Sequence, residues 1–484
     1  MSVRPRRAAL AAGVAAGAAA AAGSTIALRD PARRTRLDRS VRIWRLTVRR
    51  GLHFAAVKVR GAGRDEERKR QLEEQFTIRS AEDVARELGN MKGVIMKAGQ
   101  MLSFILDGLP EAARASLASL QGDVPPMSPA AAAKVVRDEL GDDPERIFLD
   151  WSELPVAAAS IGQVHKAVLR DGREVAVKVQ YPGIDHAITS DLANAELLYA
   201  MFSAVALKSL DVKGLVEELR ARMVDELDYT LEARCQADFA ARYRGHPFVH
   251  IPDVVPELST SRVLVTEWVD GMRWDEFLLT ADDDTKQRTG EAMFRFTQGA
   301  IYRARVFNGD PHPGNYRFHH DGTVSFLDFG LVKRWAPGEL ESLTPLIDPL
   351  LEHQPDVLVE RMVDAGFLFD AQGLDPQRVW EYVSAPYTPY LEDDYTFAPD
   401  FASRTLTKLL DRNGPFADVM AKLNLPPSFV ILDRVVWGMC AILGRLGARN
   451  HWRAILDEYR NDTAPVTPLG EQEARWRAEG PQQR

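Results

Sequence analysis

The chain has 484 residues, 45% of them hydrophobic and 27% charged, and a formal net charge of −8. That length supports several domains or one large two-lobed unit, and the composition excludes a disordered or collagen-like chain. The acidic balance argues against a nucleic-acid partner, and two cysteines, Cys235 and Cys440, cannot build a disulfide framework. With no C-x-x-C pair and no H-E-x-x-H run, structural zinc and zincin chemistry are disfavoured.

Arg4, Arg6 and Arg7 precede an uncharged, Ala- and Gly-rich stretch from Ala8 to Leu28. Basic residues followed by an apolar run suit a signal peptide or a weak membrane anchor. Ala and Gly gain little on transfer to lipid, however, and arginines flank both ends, so a frayed leader is also open. From Asp38 to Gly108 the pattern is helical. Ser80 and Asp83 form a variant capping box ahead of Val84 to Leu106. Pro125, Pro126 and Pro129 mark a linker into a helix ending near Leu140.

Character changes at Trp151. Gln163 to Leu169, a turn at Asp171-Gly172, and Glu174 to Val179 read as a β-hairpin. Gly214 to Ala241 reads as one long charged helix. Phe248 to Val269 holds two strand candidates, the stronger being Arg262 to Val269. After Trp274 the pattern is mostly helical, with one strand-like interruption from Tyr316 to Leu327. Val435 to Gly444, flanked by Arg434 and Arg445, is too short to span a bilayer and reads as a buried helix. Residues from Pro465 onward read as a polar tail.

The chemistry concentrates in two short runs. Asp310 and Asn315 lie on a loop stiffened by Pro311 and Pro313, a carboxylate and an amide suited to phosphoryl transfer. Thirteen residues after Asn315 stands Asp328-Phe-Gly330, an Asp at the end of an apolar run and well placed to bind Mg²⁺. D-F-G alone is an ordinary turn; preceded by D-x-x-x-x-N it is a rare combination. Upstream, Lys178 falls late in a buried strand, costly unless paired and suited to gripping phosphates. Ahead of it, Ala157, Ala158, Ala159, Ser160, Gly162 and Val164 stand in the register of a Gly-rich phosphate loop. Ala157 and Ala159 replace two glycines, and their methyl groups restrict backbone approach. Glu226, Asp228 and Glu232 are the candidate partners of Lys178. Glu226 and Glu232 are roughly 120° apart around a helix, so only one of them reaches it. Glu267 and Val269, where a strand ends between the two halves, are placed to hydrogen-bond adenine through their backbone.

Lys97-Ala-Gly-Gln100, the Ala run 157–160, Val175 to Lys178, Glu226 to Glu232, Asp310 to Asn315 and Asp328 to Gly330 occur in an order that resembles the UbiB family of atypical kinases, the aarF-domain-containing kinases. Asp433-Arg-Val-Val-Trp-Gly438 is similar to that family as well. The resemblance implies an α+β, bilobal, protein-kinase-like fold with a helical N-terminal extension over the active site. It implies that Lys97 faces Glu226 or Asp228, that Glu232 pairs with Lys178, and that the cofactors are ATP and Mg²⁺. It also implies support of quinone or isoprenoid-lipid metabolism, an ATPase-like or unorthodox kinase activity, and a lipid or quinone precursor and a membrane surface as further partners. In this family a His commonly stands two residues before the catalytic Asp; here it is Asn308, with retained activity expected and a local loss of loop rigidity left open.

The expected organisation is a leader over 1–35, a helical extension with K-x-G-Q over 36–150, an N-lobe over 151–270, a helical C-lobe over 271–461 and a polar tail over 462–484. The expected location is cytoplasmic, with membrane association through the leader. Two rival readings are a small-molecule phosphotransferase and a nucleotide-gated lipid-binding scaffold. The loop Gly309 to Asn315 also resembles that of aminoglycoside and choline kinases, but the K-x-G-Q extension argues against the first rival.

Overall fold

The computed structural model describes residues 127–480, apart from 186–187, 189–216, 218–219, 222, 412–413 and 425. The leader, the helical extension up to residue 126 and Lys97 of K-x-G-Q lie outside the described residues.

A short helix, α1 (Pro129–Leu140), opens the described chain, with the Ser128 hydroxyl accepting from the Ala131 amide and Pro129 at its first position. Five strands follow: β1 (Asp150–Trp151), β2 (Ala157–Ala159), β3 (Gly162–Val168), β4 (Glu174–Gln180) and β5 (Val263–Glu267). They form one antiparallel sheet in the order β1-β3-β4-β5, with β2 on the same edge of β3 as β1. The expected hairpin is β3-β4, with Val164 opposite Lys178. Alternation sends Val175, Val177 and Val179 into a core shared with Val135 and Val136 of α1, and turns Lys178 to the opposite face.

Two sequence expectations change here. The Ala run is a strand, not an open loop: Ala157, Ala158 and Ala159 pair with Val164, Gln163 and Gly162, leaving Ser160-Ile161 as a two-residue turn. The charged stretch after Gly214 is not one continuous helix. Helical turns end at Asp225, and a new helix, α2 (Tyr229–Arg242), starts when the Asp228 carboxylate accepts from the Thr230 amide. Glu226 therefore lies in a turn outside the helix that carries Glu232, and the roughly 120° helical offset does not apply.

The larger lobe is helical around a few short strands. Helix α3 (Asp283–Gln298) runs through its core. Strands β6 (Val306–Asn308) and β9 (Val332–Arg334) pair antiparallel, as do β7 (Tyr316–Phe318) and β8 (Val324–Phe326). The expected single interruption is thus two small ladders, which hold the Asp310 and Asp328 loops side by side. Helices α4 (Pro427–Leu446), α5 (Trp452–Arg460) and α6 (Pro468–Glu479) close the lobe. The segment read as a polar tail is mostly α6, capped by Thr467 and docked through buried Leu469 and Glu473. Among the described residues no helix is long and apolar enough to cross a membrane.

Candidate functional site

The face of β4 that points away from the valine core delivers Lys178 to the cleft between the lobes. Its Nζ lies 2.8 Å from both carboxylate oxygens of Glu232 on α2 and 3.7 Å from Oδ2 of Asp328. A half-buried ammonium set against the buried Glu232 carboxylate is tolerable only with such partners. Burial works against its charge, but Glu232 and Asp328 outweigh that and hold the Lys178 pKa well above the ordinary lysine range. The Tyr229 ring lies under the same ammonium, 4.9 Å from Nζ.

Glu226 and Asp228 take other places. Asp228 is spent as the cap of α2, accepting from both the amide and the hydroxyl of Thr230. Glu226 sits in the preceding turn. How either relates to Lys97 lies outside the described residues.

Strand β3 begins at Gly162 because nothing larger fits there. A Cβ on Gly162 would fall 2.2 Å from the Val179 carbonyl oxygen of β4. Its role is close backbone approach, since its φ is not positive. None of Ala157, Ala158 and Ala159 has a positive φ either, so this hairpin does not call on glycine's conformational freedom.

The second half of the site comes from the loops beyond β6 and β8. Asp310 is buried, and the Asn315 amide donates to its Oδ2 at 3.2 Å. With that nitrogen engaged and the Asn315 backbone carbonyl accepting from the Leu327 amide, Oδ1 is the atom of Asn315 that would face a metal. Asp328 accepts from the Gly330 amide through Oδ1 at 3.0 Å. Asn308 joins the two loops: its Oδ1 accepts from the Asp310 amide at 2.8 Å and its Nδ2 donates to the Asp328 carbonyl at 2.6 Å. An Asn side chain carries a donor and an acceptor at once. The Asn308 side chain thus ties the two loops together at the position where a His is common.

One further side chain reaches this site from far along the sequence. Arg434, on α4, hydrogen-bonds Oδ1 of Asp310 across 124 residues of chain, and both side chains are buried. Its second terminal nitrogen, Nη1, is buried without a partner among the described residues. In the sequence Arg434 stands in the family-like run Asp433 to Gly438 and opens an apolar helical run, and neither signal names Asp310 as its partner.

At the far edge of the sheet, Glu267 closes β5 opposite Val175. The Glu267 amide donates to the Asp253 carbonyl and the Trp268 amide to the Glu174 carbonyl. Of the two residues named from sequence, only Val269 thus keeps an amide without a backbone acceptor among the described residues.

The oxygen donors of Asp328 and Asn315 fit Mg²⁺, which takes one or two carboxylates and completes its shell with phosphate and water. No cluster of three or more His, Cys, Asp or Glu side chains able to hold a metal occurs among the described residues.

Residues 119–361 match the ABC1 atypical kinase-like domain. The chain is 38% identical over 255 residues to the Arabidopsis thaliana chloroplastic protein Activity of BC1 Complex Kinase 1, covering 51% of this chain and 36% of that protein. It is 31% identical over 296 residues to the Rattus norvegicus mitochondrial atypical kinase COQ8B, covering 60% of this chain and 56% of that one. The matched region is thus between about a third and somewhat over half the length of these relatives. A solved structure of Mycobacterium tuberculosis Rv3197, in complex with erythromycin, superposes with a TM-score of 0.58 at 32% identity over 77% of this chain and 93% of that one. With half its length inside the domain match and the kinase-like fold shared with a solved relative, the chain belongs to the ABC1, or UbiB, family of atypical kinases.

Proposed function

We propose that the chain is an ATP-binding, Mg²⁺-dependent atypical kinase or ATPase. The observation that carries this reading is the cleft charge set: Lys178 on Glu232 at 2.8 Å and Asp328 at 3.7 Å, beside an Asp310–Asn315 pair. In this reading Lys178 positions the nucleotide phosphates, and Glu232 holds Lys178 in place. Asp328 and Asn315 hold Mg²⁺, which when bound neutralises charge on the phosphates. Asp310 orients the attacking hydroxyl or water. Catalysis is then positioning plus electrostatic stabilisation. Glu267 and Val269 contact the adenine through their backbone, and residues 157–164 cover the phosphates.

A COQ8-type relative supports placing the chain in quinone or isoprenoid-lipid metabolism, with a lipid or quinone precursor as a further ligand. One observation favours a second reading, a nucleotide-gated binding protein that transfers no phosphoryl group. Asp310 is buried, and each oxygen of its carboxylate is already engaged, Oδ1 by Arg434 and Oδ2 by the Asn315 amide. The two readings separate in a turnover assay with labelled ATP, scoring free phosphate, a phosphorylated product, or neither. Loss of Mg²⁺-dependent ATP affinity in Lys178→Ala, with the fold kept, is expected under both. An unchanged affinity would remove Lys178 from the site.

A further inference from the structure

Helix α6 docks where two elements of the cleft meet. Its Trp476 ring stacks on Tyr243, with centroids 6.3 Å apart and planes 11° apart, and meets His246 edge-on at 4.4 Å. The Trp476 indole N–H donates to the Arg244 carbonyl at 3.1 Å. Tyr243 and Arg244 lie just past the end of α2, the helix that carries Glu232. From Glu232 to Tyr243 is eleven residues, about 16 Å of helix.

A line of rings continues inward. Tyr243 stacks on Phe239 at 6.3 Å, and Phe239 lies 4.8 Å from Phe329, the Phe of Asp-Phe-Gly. Four aromatic residues thus connect the last helix to the loop that bears Asp328. Phe239 and Tyr243 belong to the core of the large lobe although their helix also supplies the partner of Lys178.

The base of α6 is anchored by a buried polar network. Arg295 of α3 is 0% exposed and pairs with Glu291 at 2.7 Å, with Glu458 at 2.7 Å and with the Thr467 hydroxyl at 2.9 Å. Glu473 accepts from the Tyr459 hydroxyl and lies 3.9 Å from His246. Gly470 leaves room for this network, since a Cβ there would sit 2.5 Å from Arg295 Nη2. A buried arginine with several fixed partners costs a great deal to undo in part. The network therefore holds α6 in one place.

We propose that α6 is a positioning element of the nucleotide site. Trp476 clamps the end of α2, and through α2 and the Phe239–Phe329 contact it fixes Glu232 and the Asp328 loop together. Its effect on nucleotide affinity rests on the reading of the cleft given above; its effect on α2 does not. Trp476 acts through other residues and touches no substrate.

The test uses the full chain and amide hydrogen exchange without nucleotide, alongside a titration with Mg-ATP. In Trp476→Ala, faster exchange is expected over 229–242 and 328–332 as well as over 468–479, with exchange in β3 and β4 unchanged. The Mg-ATP dissociation constant should rise about tenfold. Trp476→Phe, which keeps a ring on Tyr243, should restore most of both. If Trp476→Ala fails to fold, Trp476→Leu keeps apolar volume without the stack or the indole N–H, and the same readouts apply. Faster exchange confined to 468–479, with 229–242 and 328–332 unchanged, overturns the proposal. If Lys178→Ala leaves Mg-ATP binding intact, the reading of the cleft fails by itself, and the exchange comparison still decides the clamp.

Discussion

Replacing Arg434 with Leu tests the electrostatic design of the Asp310 loop. The two side chains are 9% and 8% exposed, so water cannot take over from a lost partner. Removing one member of a buried pair costs about 3–5 kcal/mol, because the other charge stays behind. Asp310 keeps the Asn315 amide at 3.2 Å, which places the expected loss near the lower end, about 3 kcal/mol. Against a typical stability of about 5–15 kcal/mol the variant still folds. Asp310→Asn added to Arg434→Leu removes the stranded charge and should recover much of the loss. Urea unfolding of the wild type, the two single variants and the double variant forms a complete cycle. The account requires a coupling between the two positions of at least about 1 kcal/mol. Strictly additive losses, or a loss below about 0.5 kcal/mol for Arg434→Leu, would refute the view that Arg434 neutralises Asp310.

Three further outcomes rest on the same site. Asp328→Asn should abolish Mg²⁺-dependent nucleotide binding while leaving the melting profile near that of the wild type, and equal binding in the presence of Mg²⁺ or EDTA in wild type would already contradict the metal assignment. Gly162→Ala should destabilise the small lobe and weaken nucleotide binding, since its methyl would meet the Val179 carbonyl at 2.2 Å; overpacking of this kind costs about 1–3 kcal/mol, and a neutral effect in both unfolding and titration would mean the β3-β4 approach is looser than described. Asp433, next to the Asp310 clamp, has its carboxyl pushed up to about 7 by burial, against the pull of the Trp437 hydrogen bond. Its folded pKa exceeds the unfolded value, so its contribution is fully present below about pH 4 and is lost as pH rises through about 7. Asp433→Asn should therefore raise stability at pH 8 relative to wild type by up to about 4 kcal/mol, with no such gain at pH 4; an equal difference at both pH values would refute the buried titration.

Much of this was legible in the sequence because the signals are local. The alternation of Val175, Val177 and Val179 sets β4 and turns Lys178 the other way, and the turn at Asp171-Gly172 sets its pairing with β3. Asp310 to Asn315 and Asp328 to Gly330 carry their chemistry within a few residues each. What sequence reading missed depends on distance or on competition. Glu226 and Glu232 were placed on one helix, but the Asp228 carboxylate captures the Thr230 amide and restarts the helix between them. The alanines align in sequence with a phosphate loop, and antiparallel pairing with β3 makes them one strand of a hairpin. Arg434 finds Asp310 only through tertiary packing. Helix α6 is not legible as an apolar stripe, since its buried face is Leu469, Gly470 and Glu473 with a half-buried Trp476 beside them. Its signals were present nonetheless: Thr467-Pro468 is a helix start, and Leu469, Glu473 and Trp476 fall at i, i+4 and i+7.

The central claim is that the Lys178, Asp310, Asn315 and Asp328 set turns over or binds a nucleotide with Mg²⁺. The most direct measurement is product analysis with purified full-length protein and γ-labelled ATP, with and without lipid vesicles, for wild type, Lys178→Ala and Asp328→Asn. The account predicts Mg²⁺-dependent release or transfer of the labelled phosphate by wild type, lost in both variants. Label that stays in ATP under every condition, with no Mg²⁺-dependent ATP binding by wild type, would contradict it.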